Sequence, residues 1–225
     1  MRPAALLRWD GPLLGRLVRV ALPNLGETAI SRLGYTLFMS MVTGLGTATL
    51  AAHQIALRVE SLSFMPGWGL SVAAATLAGQ ALGAGDPERA DASVRRTLLL
   101  ALGLAGLIGV VFAVFGRAIV TIFGSTDEVL DLAGVAVRIS AAELPFLSAQ
   151  MVLAGGLRGA GDTRTPMWVT LAGTALLRLA VVYLFVVVLG WGLAGVWWGT
   201  AVDWAGRTAL IWVLFRRGKW KKVRV

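Results

Sequence analysis

The sequence has no cysteine, a single histidine and only 12 acidic residues among 225. Without cysteine there are no disulfides, no thiol catalysis and no zinc–cysteine sites. The lone histidine, His53, argues against a metal centre built from imidazoles. Charged residues make up 15% of the chain, whereas a soluble domain carries roughly a quarter. There is no Gly/Ser linker and no low-complexity tract. What remains is apolar: 57% of residues are hydrophobic and the mean hydropathy is +0.75. That is more apolar surface than one globular core of this length can hide. The 28 glycines are dispersed through apolar runs, as suits close helix packing in lipid.

The net charge is +9, with a pI of about 11.3. In a soluble protein such a balance suggests nucleic acid. Here the basic residues sit at the ends of apolar runs and in a C-terminal tail, residues 216–225. Membrane proteins keep them in these places. The first apolar stretch is too long, and too rich in Arg and Glu, for a cleaved signal peptide.

A bilayer core of about 30 Å needs roughly 20 apolar residues as helix. Six segments qualify: about 20–43, 51–81, 97–115, 131–154, 167–189 and 193–215. The connectors are short, so the expected fold is all-α, one six-helix membrane domain over 1–225. With the N-terminus inside, the inner segments hold fifteen of the 21 basic residues, and the outer connectors hold only Arg117. The positive-inside rule then predicts a cell-membrane protein with both termini cytoplasmic.

The tetrapeptide Gly-Ala-Gly-Asp occurs at 83–86 and again at 159–162. Both copies fall after even-numbered spans, on the predicted inner side. Gly83 or Gly85, and Gly159 or Gly161, can take the left-handed conformation that ends a helix. Asp86 and Asp162 then cap the next helix, with Pro87 and Pro166 near its start. A phosphate-binding loop needs a preceding strand and a Gly-Lys-Ser/Thr ending, and neither is present.

Two helices carry internal prolines, Pro66 in FMPGWG and Pro145 in ELPFLSAQ. These are hinge candidates that bend helices around a cavity, or prolines tolerated because neighbouring helices satisfy the freed backbone. Ionisable residues within spans include Glu27, Arg32, Arg58, Glu60, Glu143, Arg178, Asp203 and Arg207. A charge at the bilayer centre costs about 2.5–3.5 kcal/mol, so each should face protein or water. Asp203 and Arg207, four apart, form an expected structural ion pair, with Arg178 in reach of it. Glu27 has no such partner, because Arg32 lies about 140° round the helix. Glu27 is either a carboxylate that takes H⁺ or Na⁺ reversibly or a shallow residue near the headgroups. Gln54, Glu143, Gln150 and Arg178 are cavity-lining candidates; for the two glutamines a helix–helix hydrogen bond is the alternative. His53 begins a helix near the outer face and reads as structural. The Gly79–Gly83 and Gly195–Gly199 pairs, and the series Gly103, Gly106, Gly109, suit close helix approach.

Several segments, taken in order, resemble the C-terminal half of multidrug and toxic compound extrusion (MATE) transporters. These are RLVRVALPNLGE at 16–27, LGTATLAAHQIALRVESLSFMP at 45–66 and AGQALGAGDPERA at 78–90. LAGGLRGAGDTRTPM at 153–167, GLAGVWWG at 192–199 and FRRGKWKKV at 215–223 complete the set. The resemblance implies two six-helix lobes around a cavity that rocks between outward-open and inward-open states. It implies export of organic cations or amphipathic compounds against inward Na⁺ or H⁺, with no other cofactor. Some members carry an acidic residue in the seventh helix and another in the tenth. Those positions here hold Ser31 and Leu147, and Glu27, one turn before Ser31, is a substitute for the first. The expected partners are the lipid bilayer and an N-terminal six-helix lobe, or else a second copy of the chain. Because the start resembles an inter-lobe connector, the chain reads as a piece of a longer protein.

Other functions compete. A flippase for lipids or lipid-linked precursors, of the same superfamily, is favoured by the intramembrane arginines. A non-transporting membrane assembly partner is another reading. An intramembrane enzyme of the rhomboid type needs a reactive Ser in a Gly-x-Ser-Gly setting. That setting is absent, so the chain is not expected to be an enzyme.

Overall fold

The computed structural model describes residue 29 and residues 32–222. Among the described residues there are helices and turns but no strand. Six helices follow in order: α1 (residues 32–43), α2 (Thr47–Gly83), α3 (Pro87–Val120), α4 (Asp127–Gly159), α5 (Arg164–Val188) and α6 (Gly192–Arg216). A short 3-10 turn, Lys219–Lys222, follows α6. The helices overrun the apolar stretches at most ends, because polar capping residues add turns beyond the hydrocarbon-like core. α3 shows this best: it begins at Pro87, with Asp86 as its cap.

Three helices are long and apolar enough by themselves to cross a membrane: α3 with its 3-10 extension (Pro87–Phe123), α4 and α5. The sequence predicts six spans. α2 and α6 are long enough but carry His53, Arg58, Glu60, Asp203 and Arg207, which lower their apolar character. All of these except Arg58 are buried inside the bundle. The part of the first predicted span before residue 32 lies almost entirely outside the described residues.

α4 is the central helix, packed against α2, α3 and α6. Its buried side chains include Ala133, Gly134, Ala149, Ala154, Gly155 and Gly156. α4 also buries Leu144, Leu147, Leu153 and Leu157, while many large side chains of the outer helices point outward: Leu99, Leu100, Leu107, Val110 and Val114 of α3 are exposed, as are Leu176, Val187 and Val188 of α5. Small residues inside and Leu/Val outside are what lipid favours, since hydrocarbon does not drive large apolar groups inward.

α2 and α4 run parallel and meet through small residues. Added at Gly155, a Cβ would overlap the Ser71 carbonyl, and at Gly159 it would overlap the Ala75 carbonyl. The Ser71 hydroxyl donates to the Met151 carbonyl across this crossing (2.7 Å). Both helices end at the same end of the bundle, in the two Gly-Ala-Gly-Asp turns. The turns share a geometry. Gly85 and Gly161 are left-handed (φ 76° and 86°), the Asp86 and Asp162 amides both donate 2.9 Å hydrogen bonds, to the Ala81 and Leu157 carbonyls, and the Asp side chains accept from the Arg89 and Thr165 amides. Both glycines sit two residues past the last helical residue, just beyond the C-cap, where a residue without Cβ takes this conformation most freely.

Gly159→Leu should destabilise the bundle by about 1–3 kcal/mol or more, because the new side chain meets backbone and not a movable neighbour. Gly103→Ala, at a position that faces open space, should leave stability unchanged. Thermal unfolding in detergent separates the two.

Candidate functional site

The polar core is built where α2, α4, α5 and α6 converge. On α2, His53, Leu57, Glu60 and Phe64 recur at helical spacing and face one side. On α6, Trp197, Thr200 and Trp204 do the same. Together with Glu143 of α4, Arg178 of α5 and Tyr35 and Phe38 of α1, they line a cavity of about 200 Å³.

Asp203 is fully buried between two arginines. Its Oδ2 accepts from Arg178 Nε (2.7 Å) and its Oδ1 from Arg207 Nε (2.7 Å), with a second Arg207 contact to Oδ2. Trp204 lies against both guanidinium groups, 5.5 Å from Arg178 and 4.8 Å from Arg207. Arg207 occupies the space that a side chain at residue 173 would need, so Gly173 admits it. Arg178 follows directly on a π-helical turn, Gly173–Leu177. The wider turn shifts the register of the residues after it, and such turns concentrate at functional sites.

Two further acids complete the cluster. Glu143, 1% exposed, accepts from the Thr200 hydroxyl (2.9 Å). Glu60, 7% exposed, lines the same cavity as Glu143. Three carboxyl groups (Glu60, Glu143, Asp203) thus share one buried region with two guanidinium groups (Arg178, Arg207). Fully ionised, the cluster holds one excess negative charge. No group of three or more His, Asp or Glu among the described residues is arranged to hold a metal ion.

The other sequence-predicted residues fall in different places. Glu27 and Ser31 lie outside the described residues. Gln54 is on the exposed face of α2, one residue away from the buried stripe and outside the cavity. Gln150 is buried and lines a second cavity of about 160 Å³ with Trp68, Arg158, Trp204 and Arg207. Leu147 is buried in the apolar core. Pro66 and Pro145 lie inside helices that continue through them. Pro66 faces a narrow gap also lined by Leu144, the neighbour of Pro145. From the sequence Glu60 is only one of several intramembrane acids, and Thr200 and Trp197 carry no assigned role. The i, i+7 spacing of His53 and Glu60 and the i, i+3, i+7 spacing of Trp197, Thr200 and Trp204 were the available signals.

The MatE family model matches residues 23–184. A curated relative, the probable multidrug resistance protein NorM of Thermotoga maritima, is 32% identical over 206 residues, covering 92% of this chain and 44% of the relative. A solved MOP superfamily transporter from Pyrococcus furiosus superposes with a TM-score of 0.79 at 25% identity, over 89% of this chain and 44% of that one. A crystal structure of MATE in the bent conformation gives a TM-score of 0.78 at 25% identity, over 90% and 46%. The chain spans about half the length of the curated relatives it matches, and its six helices align with under half of each such structure. These proteins are transporters and not enzymes. By the extent of the match, the chain belongs to the MatE family of multi-pass membrane transporters.

Proposed function

We propose that this chain supplies one lobe, the C-terminal half, of a cation-coupled antiporter that exports drugs or organic cations by alternating access. The observation that carries the reading is the buried cluster of three acids and two arginines beside a cavity. Two carboxyl groups sharing one buried site favour taking up a proton on one of them, or a small cation between them. One H⁺ or one Na⁺ at Glu60–Glu143 neutralises the cluster, which suits a site that loads and unloads during a cycle. Asp203 serves as the fixed element, tied to both arginines. Glu27 and Ser31 remain candidates for coupling, and Gln150 for substrate contact from the second cavity. Relatives named as multidrug resistance proteins support drugs as the substrate class. The second lobe is an N-terminal six-helix partner or another copy of this chain. The two Gly-Ala-Gly-Asp turns and the basic tail face the cytoplasm, and hydrocarbon surrounds the bundle.

A second reading is transport of an anionic lipid-linked precursor. It is supported by Arg178, whose side chain is partly exposed and lines the cavity. It is also supported by the Pyrococcus furiosus neighbour, described as having a binding pocket of reverse polarity and a different function.

Ethidium efflux is measured in cells lacking drug pumps, with the chain expressed alone and with a candidate N-terminal lobe. Efflux in either case supports the antiporter; transport of the lipid-linked precursor without ethidium efflux supports the second reading. Glu143→Gln should lower coupled efflux about tenfold or more with normal expression. Asp203→Asn should instead destabilise the protein by roughly 3–5 kcal/mol, because it strands the buried Arg207 guanidinium and takes the partner from the partly exposed Arg178. Thermal unfolding in detergent reads the difference. The chain has no cysteine, so single substitutions report sidedness directly: Ala84→Cys should react with impermeant maleimide only from the cytoplasmic side, and Thr126→Cys only from outside.

A further inference from the structure

His53 is 2% exposed, and neither of its ring nitrogens has a protein partner. The Nε1 of Trp197, its neighbour on α6, is likewise buried and unpartnered. Three unpartnered polar atoms at one spot are costly, at about 1–3 kcal/mol each. Such groups occur where something must come and go. The imidazole is held in place by aromatic rings on two sides, Phe38 at 5.9 Å and Trp197 at 5.6 Å. It lines the same cavity as Glu60, Glu143 and Thr200.

The position along the bundle is also informative. His53 lies near the start of α2, at the end opposite the Gly-Ala-Gly-Asp turns. One turn before it, Thr49 lines a depression of about 410 Å³ that opens at that end of the bundle, beside Asp131 and Trp191. Seven residues after it, about 10 Å along the helix axis, stands Glu60. His53 therefore stands between an outer opening and the buried acids, and the cavity is roomy enough for bridging water.

We propose that His53 relays protons between the outer opening and the Glu60–Glu143 pair, and that the coupling ion is H⁺ and not Na⁺. This rests on the reading of that pair as the coupling site. One ring nitrogen of the neutral imidazole takes a proton from water on the outer side. The other then releases its proton through cavity water to a Glu60 or Glu143 carboxylate. The ring is left neutral in its other tautomer, and a ring flip or the reverse transfer resets it. The groups facing His53 from neighbouring elements fit this choice. They are Tyr35 of α1, Glu143 of α4 and Arg178 of α5, with Glu60 on α2 itself; from α6 come Trp197 and Thr200, with Asp203 held behind Arg178. An imidazole hands on H⁺ and not Na⁺, so a relay through His53 selects the proton.

The test uses the transport-competent assembly in liposomes, with a pH gradient or a Na⁺ gradient imposed separately. Wild-type ethidium efflux should follow the pH gradient and ignore Na⁺. His53→Gln should lower the ratio of pH-driven efflux to substrate counterflow about tenfold, and flatten the pH profile of the rate. Trp197→Phe keeps an aromatic ring beside His53 but removes the indole N–H and part of the ring, and should give a smaller drop in the same ratio. Efflux driven by Na⁺ and indifferent to pH overturns the proposal while leaving the coupling site intact. Equal ratios for His53→Gln and wild type overturn the relay, and so does a parallel loss of efflux and counterflow, which marks a structural residue. Full pH-driven efflux in Glu143→Gln would instead strike the coupling reading itself.

Discussion

Asp203, sealed between Arg178 and Arg207, is the contact around which the bundle is organised. Three charged groups in hydrocarbon are tolerable only if each meets an opposite partner and none meets lipid. That demand explains several features that would otherwise be unrelated. Gly173 yields its side-chain space to Arg207. A π-helical turn comes directly before Arg178. Trp204 lies flat against both guanidinium groups. α4 sits at the centre, so that Glu143 is surrounded by protein on all sides. The cluster is also the reason that α2 and α6 look less apolar than their neighbours while still belonging to the membrane bundle.

The second constraint is backbone proximity. α2 and α4 touch through Ser71, Ala75 and Gly79 on one side and Gly155 and Gly159 on the other. In lipid, such contact depends on small residues, because dispersion between closely placed backbones takes the part that water expulsion plays in soluble proteins. The crossing brings the two identical turns to the same end of the bundle and holds Glu60 and Glu143 opposite one another further along. Stability and function are therefore linked at these helices. The crossing that locks them also sets the separation of the two carboxyl groups.

Much of the architecture was legible as residues. The apolar runs, the two Asp-capped glycine turns and the ordered family-like segments point to a six-helix lobe, because local capping and the length of a bilayer span depend on neighbours in sequence. The glycine spacings were only partly informative. Gly79, Gly109, Gly195 and Gly199 do sit at close contacts, but Gly83, Gly103 and Gly106 face open space, and the tightest contacts with another helix's backbone, at Gly155 and Gly159, carry the same spacing without standing out.

The site was less legible. Asp203 and Arg207 lie on one helix, so their spacing announced them. Glu60 and Glu143 are on different helices 83 positions apart in the chain, and nothing in either segment says that they meet. Gln54 and His53 are adjacent, yet one is exposed and the other buried, which turns on the rotation of α2 by a single residue step of about 100°. Thus the sequence alone determined the solvent, the helices, the turns and the family, since these rest on local pattern. Only tertiary structure decided which polar groups face one another, because that depends on helix rotation and on crossings between segments far apart in the chain.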